Sequence, residues 1–183
     1  LALWDRTDDS LILARDPFGI KPLYYTTSGD VVSFASEMKF LLGFASGRFQ
    51  LNESRIVDYL HRMRINHTDE TFWSGILEVR PGTWTRFHSG RIESETYWTY
   101  EPSLDDWDLG SAVREFGDLF ESSLKLRMRS DVEVGSLLSG GLDSSLIVCG
   151  LEKSGLLSSA RAFRTYTVDF IEDRFSERRY VQD

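Results

Sequence analysis

The stretch Gly135–Val148, GSLLSGGLDSSLIV, decides how the second half of this 183-residue chain folds. An apolar run breaks at Ser139, passes through Gly140 and Gly141, and resumes at Leu142 and Leu146–Val148. The residues leading in, VEVGSLL, read as a short apolar strand, and those leading out read as a helix closed by Gly155. A strand that turns directly into a helix exposes backbone N–H groups with no helical partners at the positive end of the helix dipole, which makes an anion site. Gly140 and Gly141 allow torsions and a close approach that a Cβ would forbid. Ser139, Ser144 and Ser145 add hydroxyl donors, while Asp143 can hold a magnesium ion that bridges phosphates or cap the helix. A lone Gly-Gly between these caps would be only a tight turn. Here all of Ser139–Ser145 agrees with the anion loop, and strand and helix lie on the sides it requires. The loop has no lysine and no Gly-Lys-Ser/Thr, so it is not the Walker pattern.

Downstream, RTYTVDF reads as a second strand, and strand, helix, strand in that order opens a parallel α/β sheet. Upstream, Val113, Phe116, Leu119, Phe120 and Leu124 recur at helical spacing and predict an amphipathic helix to about Met128. Before that helix, EPSLDDWD has a proline, several acids and no periodicity, as a linker would. The division places a first domain at residues 1–100, a linker at 101–110 and a second domain at 111–183. In the first domain, LALWD and SLILARD flank RTDDS, and PLYYTT and VVSFAS flank SGD, which predicts hairpins. SEMKFLLGF carries helical spacing. NESRIVDYLHRM places Ile56, Val57, Leu60 and Met63 on one helix face with Asn52 as cap. Strands return over GILEVRPGTWTRFHSGRIESETYW, with turns at Pro81-Gly82 and Ser89-Gly90.

Composition sets the remaining bounds. A hydrophobic content of 41% suffices for a buried core. With 21 basic against 29 acidic residues the formal charge is -8, which argues against broad contact with nucleic acid or an anionic membrane. An anionic ligand then needs a local site. Cys149 is the only cysteine, sits among apolar neighbours as a small core residue would, and points to a reducing, cytoplasmic setting. His61, His67 and His88 lack ligand spacing for zinc.

SGGLDSS, Ser139–Ser145, resembles the pyrophosphate loop of the ATP pyrophosphatases, which cleave ATP between the α and β phosphates. The first half selects within them. ARDPFGIKPLYY (Ala14–Tyr25), FASEMKFLL (Phe34–Leu42) and GILEVRPGTWTRF (Gly75–Phe87) resemble the end of the glutaminase domain of enzymes with an N-terminal cysteine nucleophile. Phosphoribosylpyrophosphate amidotransferase has a similar first stretch, but no SGGLDSS follows it. Both halves in this order resemble the glutamine-hydrolysing asparagine synthetase family.

That resemblance implies an α+β first part, the end of an amidotransferase β-sandwich layer, followed by the start of an α/β parallel-sheet ATP pyrophosphatase domain. It implies a ligase acting on ATP, aspartate and glutamine, with magnesium. Aspartate would be activated as β-aspartyl-AMP with release of pyrophosphate, and glutamine-derived ammonia would displace AMP. Ser139, Gly140, Gly141, Asp143, Ser144 and Ser145 match the residues that hold the β and γ phosphates with magnesium. Leu137 and Val168 match positions lining the nucleotide pocket, with Val168 in the second strand. Arg15, Asp16 and Gly19 match the glutaminase motif in a structural role. The nucleophilic cysteine would lie upstream of Leu1 and a second, acidic synthetase motif downstream of Asp183, and Asp169 stands where many relatives place glycine. The resemblance leaves room for a homodimer. Two alternatives stay open: a relative that adenylates another carboxylate to close a β-lactam or macrocycle, and a non-catalytic nucleotide-binding module.

Overall fold

Two hairpins open the chain, as the alternating apolar runs require. Strand β1 (Ala2–Asp5) pairs antiparallel with β2 (Ser10–Ala14), and β3 (Tyr24–Ser28) pairs with β4 (Val31–Ala35). The computed structural model describes residues 1–44, 49–102, 108–157, 163–172 and 176–181. Helices α1 (Met38–Phe44) and α2 (Glu53–Arg62) follow, then a short β5 (Leu77–Glu78), β6 (Thr83–His88) and β7 (Arg91–Thr96). The loop between β6 and β7 is Ser89-Gly90, and both residues have positive φ, +48° and +73°. That conformation matches the right-handed twist of the flanking strands.

These strands form two antiparallel sheets, ordered β1-β2-β6-β7 and β4-β3-β5. The two share one core: Leu13 and Phe87 from the first sheet meet Leu23, Tyr25 and Val79 at the second. The Tyr25 and Phe87 rings meet edge to face with centroids 5.2 Å apart. All of this lies in one compact unit, Leu1–Ser103, and a second unit spans Leu104–Asp183.

Helix α2 differs from its expected orientation. Asn52 caps it, its side-chain oxygen accepting the Arg55 N–H, but Val57, Leu60 and Met63 are exposed. The half-buried side is Arg55, Ile56, Asp58 and Tyr59. The Tyr59 ring packs edge-on against Phe72, and Arg55 pairs with Asp58 at 2.9 Å. Apolar spacing was therefore outweighed by an aromatic contact and a charge network on the adjacent face.

In the second unit, α3 runs Leu109–Arg127, with Asp108 accepting the Ser111 N–H as N-cap. Residues 109 and 110, assigned to the linker from sequence, are thus helical; residues 103–107 of that linker lie outside the described residues. Strand β8 (Val134–Leu137) leads through the glycine loop into α4 (Leu142–Lys153). Strand β9 (Phe163–Tyr166) pairs parallel with β8, in the register Val134↔Phe163 to Leu137↔Tyr166. A short α5 (Arg178–Val181) follows.

Three expectations change here. Only the last part of the α3 stripe is covered: Leu124 is buried and Phe120 half-buried, while Val113, Phe116 and Leu119 are exposed. Close packing of α3 on α4 explains where the burial falls, because a Cβ at Gly150 would lie 2.8 Å from Leu124 and 2.9 Å from Phe120. Cys149 is exposed, not a core residue. The inward stripe of α4 is Ser144, Ser145, Val148 and Leu151, and Cys149 sits one residue round from it. Val168 lies beyond the end of β9, not within the strand.

Candidate functional site

The first unit is organised around the turn at the end of β2. Arg15 is 6% exposed, and its guanidinium has partners on two segments. Nη1 donates to Glu78 Oε1 at 2.6 Å and to the Val79 carbonyl at 2.9 Å, Nη2 to the Gly19 carbonyl at 2.8 Å, and Nε to the Lys21 carbonyl at 3.2 Å. The planar fork suits such a junction in a way that an ammonium does not. Asp16 accepts the N–H groups of Ile20 and Lys21 at 2.8 and 2.9 Å, and these bonds hold its carboxyl below the ordinary value of 3.8. Gly19 takes φ +63°, and a Cβ there would lie 2.8 Å from Pro81 Cγ. Tyr97 Oη donates to the Arg15 carbonyl at 2.6 Å. Arg15, Asp16 and Gly19 are therefore structural, as expected. Glu78 and Tyr97, which complete the junction, were not legible; the one signal was a lone carboxylate, Glu78, inside the apolar run Ile76–Val79.

The glycine loop of the second unit gathers Ser139, Gly140, Gly141, Asp143, Ser144 and Ser145 into one turn. The Leu138 N–H donates to the Tyr166 carbonyl at 2.8 Å, and Thr167 Oγ1 donates to the Leu138 carbonyl at 2.7 Å, so β9 fixes the point where the loop leaves β8. Gly140 then takes φ +72°, which L side chains rarely adopt. A Cβ on it would collide with Tyr180 Cβ and lie 2.9 Å from the Tyr180 carbonyl carbon and oxygen. Gly141 differs: φ -73° and ψ 161° are extended backbone open to any residue, and a Cβ would meet only Ser139 Oγ, at 3.2 Å. The two glycines thus answer different constraints.

The loop serines mostly bond one another. Ser144 Oγ accepts the Ser139 N–H at 3.3 Å and donates to the Gly141 carbonyl at 3.2 Å. Ser139 Oγ lies 3.1 Å from Ser144 Oγ and accepts the Gly141 N–H at 3.3 Å. With the Ser144 proton on the Gly141 carbonyl, the Ser139 proton falls to Ser144. Both hydroxyls are then committed to shaping the turn. The first helical bond of α4 runs from Ser145 N to the Gly141 carbonyl at 3.0 Å. Gly141 supplies no side-chain cap, so the N–H groups of Leu142, Asp143 and Ser144 have no protein acceptor among the described residues. They are oriented donors at the positive end of a helix dipole, and the place is open.

Asp143 is exposed in the first turn of α4. A carboxylate there is favourable to the dipole but repels an incoming anion, so a polyphosphate would reach it best through a shared divalent cation. One carboxylate with substrate oxygens is a donor set that suits magnesium. Among the described residues, no group of three or more His, Cys, Asp or Glu could hold a metal by itself. Leu137 and Val168, the expected nucleotide-pocket residues, are 75% and 63% exposed. No described helix is long and apolar enough to cross a membrane.

Two family models match the chain in sequence order. Residues 1–98 match the glutamine amidotransferase domain, and residues 115–183 match asparagine synthase. An amidotransferase segment joined to a synthase segment is the class of protein these matches and the two antiparallel sheets define. The chain belongs to the glutamine-hydrolysing asparagine synthetase family, whose named members are ligases. It is 37% identical, over 96% of its length, to asparagine synthetase [glutamine-hydrolyzing] 1 of Bacillus subtilis, and 35% identical, over 93%, to amidase chry2 of Gibberella zeae. It spans 27% of the length of each of these relatives. A putative asparagine synthetase of Methanocaldococcus jannaschii is 28% identical over 98% of this chain and 35% of its own.

Proposed function

We propose that this chain serves ATP-dependent amide synthesis of the asparagine synthetase kind, with the second unit as the start of an ATP pyrophosphatase domain. The observation that carries the reading is the row of N–H groups of Leu142, Asp143 and Ser144, without an acceptor among the described residues, at the mouth of the parallel β8–α4–β9 unit. In this reading the aspartate side chain attacks the α phosphorus of ATP, the bond to the bridging oxygen breaks, and pyrophosphate leaves as β-aspartyl-AMP forms. Ammonia from glutamine then attacks the acyl carbon, and AMP departs. The loop's part is electrostatic: fixed N–H dipoles meet the charge that grows on the leaving pyrophosphate without having to reorganise. Asp143 would hold magnesium, which neutralises phosphate charge when bound. We place the reaction in the cytoplasm on the lone thiol, and we allow a homodimer.

ATP–pyrophosphate exchange in the full-length protein, run against a panel of carboxylic amino acids, tests this. Exchange that needs aspartate and magnesium is the expected result, and no exchange with any carboxylate would remove the reading. A second reading, adenylation of a different carboxylate, is favoured by the 35% identity to a relative that is not named as an asparagine synthetase. Exchange driven by another acid in the same panel would select it. Within the same assay, Gly141→Val should abolish exchange with little loss of stability. The extended backbone at Gly141 tolerates a side chain, so any loss would come from blocking the anion.

A further inference from the structure

We propose that Asp169 is a positioning residue for the loop Ser139–Ser145. Its carboxylate ties down the turn Ser176–Val181, and the Tyr180 backbone in that turn is the wall against which Gly140 holds its left-handed conformation. Ser176 Oγ donates to Asp169 Oδ1 at 2.7 Å, and Arg178 Nη1 stands 3.7 Å from Asp169 Oδ2. Ser176 Oγ also accepts the Arg178 N–H at 3.3 Å, so one hydroxyl joins Asp169 to the start of α5. The Tyr180 N–H donates to the Glu177 carbonyl at 2.9 Å, which continues the same turn to the residue that touches Gly140.

The other end of the linkage is as short. Asp169 stands two residues after Thr167, whose hydroxyl donates to the Leu138 carbonyl next to the loop. A path from Leu138 through Thr167, Asp169, Ser176 and Tyr180 thus returns to Gly140, and Asp169 is its one charged acceptor. The Arg178 pair is exposed on both sides and contributes little by itself. The hydrogen bond to an ionised carboxylate at 2.7 Å is the stronger member. A glycine at this position has no side chain and could not close the path. The consequence for ligand binding rests on the loop being a phosphate site, but the positioning itself does not.

The test uses Asp169→Ala, Asp169→Asn and Ser176→Ala in the full chain. Three quantities are read: amide hydrogen exchange over residues 138–145 without ligand, the Kd for inorganic pyrophosphate with magnesium, and the melting temperature. Both alanine variants should speed loop exchange several-fold and raise the Kd by about 3- to 10-fold, the size of effect that loss of one charge-assisted hydrogen bond gives. Their melting temperature should stay that of the parent. Asp169→Asn keeps an acceptor for Ser176 and should stay within about twofold on both readings. Unchanged loop exchange and unchanged Kd in both alanine variants would overturn the proposal. If the parent itself binds no pyrophosphate, the phosphate reading fails, and loop exchange alone then decides whether Asp169 positions the turn.

Discussion

Arg15 shows how much one side chain can organise when its partners come from distant parts of the chain. Removing it leaves the Glu78 carboxylate, 9% exposed, without its cation. Such uncompensated buried charge costs about 3–5 kcal/mol, so Arg15→Ala should lower the denaturation midpoint of the first unit sharply. Arg15→Lys should recover little, because one ammonium cannot reach Glu78, Val79, Gly19 and Lys21 together. Asp16 adds a pH dependence with a definite sign. Its folded value is depressed, so the stability it lends is complete above the ordinary 3.8 and is lost as pH falls through the lowered value. Acid unfolding curves of Asp16→Asn should therefore be flatter below about pH 4 than those of the parent. At the loop, Gly140→Ala forces a Cβ into Tyr180 and a left-handed φ and should cost about 1–3 kcal/mol, whereas Gly141→Ala should be nearly neutral. The sequence marks both glycines alike; only the backbone angle and the neighbouring Tyr180 tell them apart.

Among the elements, those legible from sequence are the ones whose local chemistry and tertiary setting agree. Ser89-Gly90 between alternating strands and Asn52 before α2 carry their geometry with them. The faces of helices do not, because an apolar stripe says that a face exists and not that something covers it. Val57 and Leu60 remain exposed since Tyr59 finds Phe72 and Arg55 finds Asp58 on the adjacent side. The exposure of Cys149 has a similar cause: α4 is apolar nearly all round from Leu146 to Leu151, so periodicity does not single out the stripe through Val148 and Leu151. Its exposure makes a direct check. In the native 183-residue chain, a thiol reagent should modify Cys149 about as fast as it does in denaturant, and strong protection would show that the helix turns another face outward. The loop itself was legible because strand, glycines, serines and helix all point to one turn. What the sequence could not supply was the split within it: the Ser139 and Ser144 hydroxyls bond inside the turn, and the first backbone N–H groups of α4 do not.

Across the whole chain, burial is divided unequally. Of the nine buried hydrophobic residues among the described residues, seven lie in the first unit, and Leu124 and Leu151 lie in the second. The second unit leaves Leu109, Val113, Phe116, Leu119, Leu137, Leu142, Val168 and Ile171 exposed. Local opening free energy follows buried apolar contact, so protection from hydrogen exchange should be graded along the chain. The amides of β2 and β6, which pair over Leu13 and Phe87, should exchange slowest and only through global unfolding of the first unit. The first half of α3 should exchange fastest among the described helices of eight or more residues, since Leu109, Val113, Phe116 and Leu119 bury little there. Replacing Leu124 with alanine should then speed exchange across α3 and α4 together and leave β2 and β6 unchanged, because Leu124 packs against Gly150 of α4. Equal protection of α3 and β6 in the parent chain would show that the exposed face is covered in solution, and the stability gradient drawn from burial would be wrong.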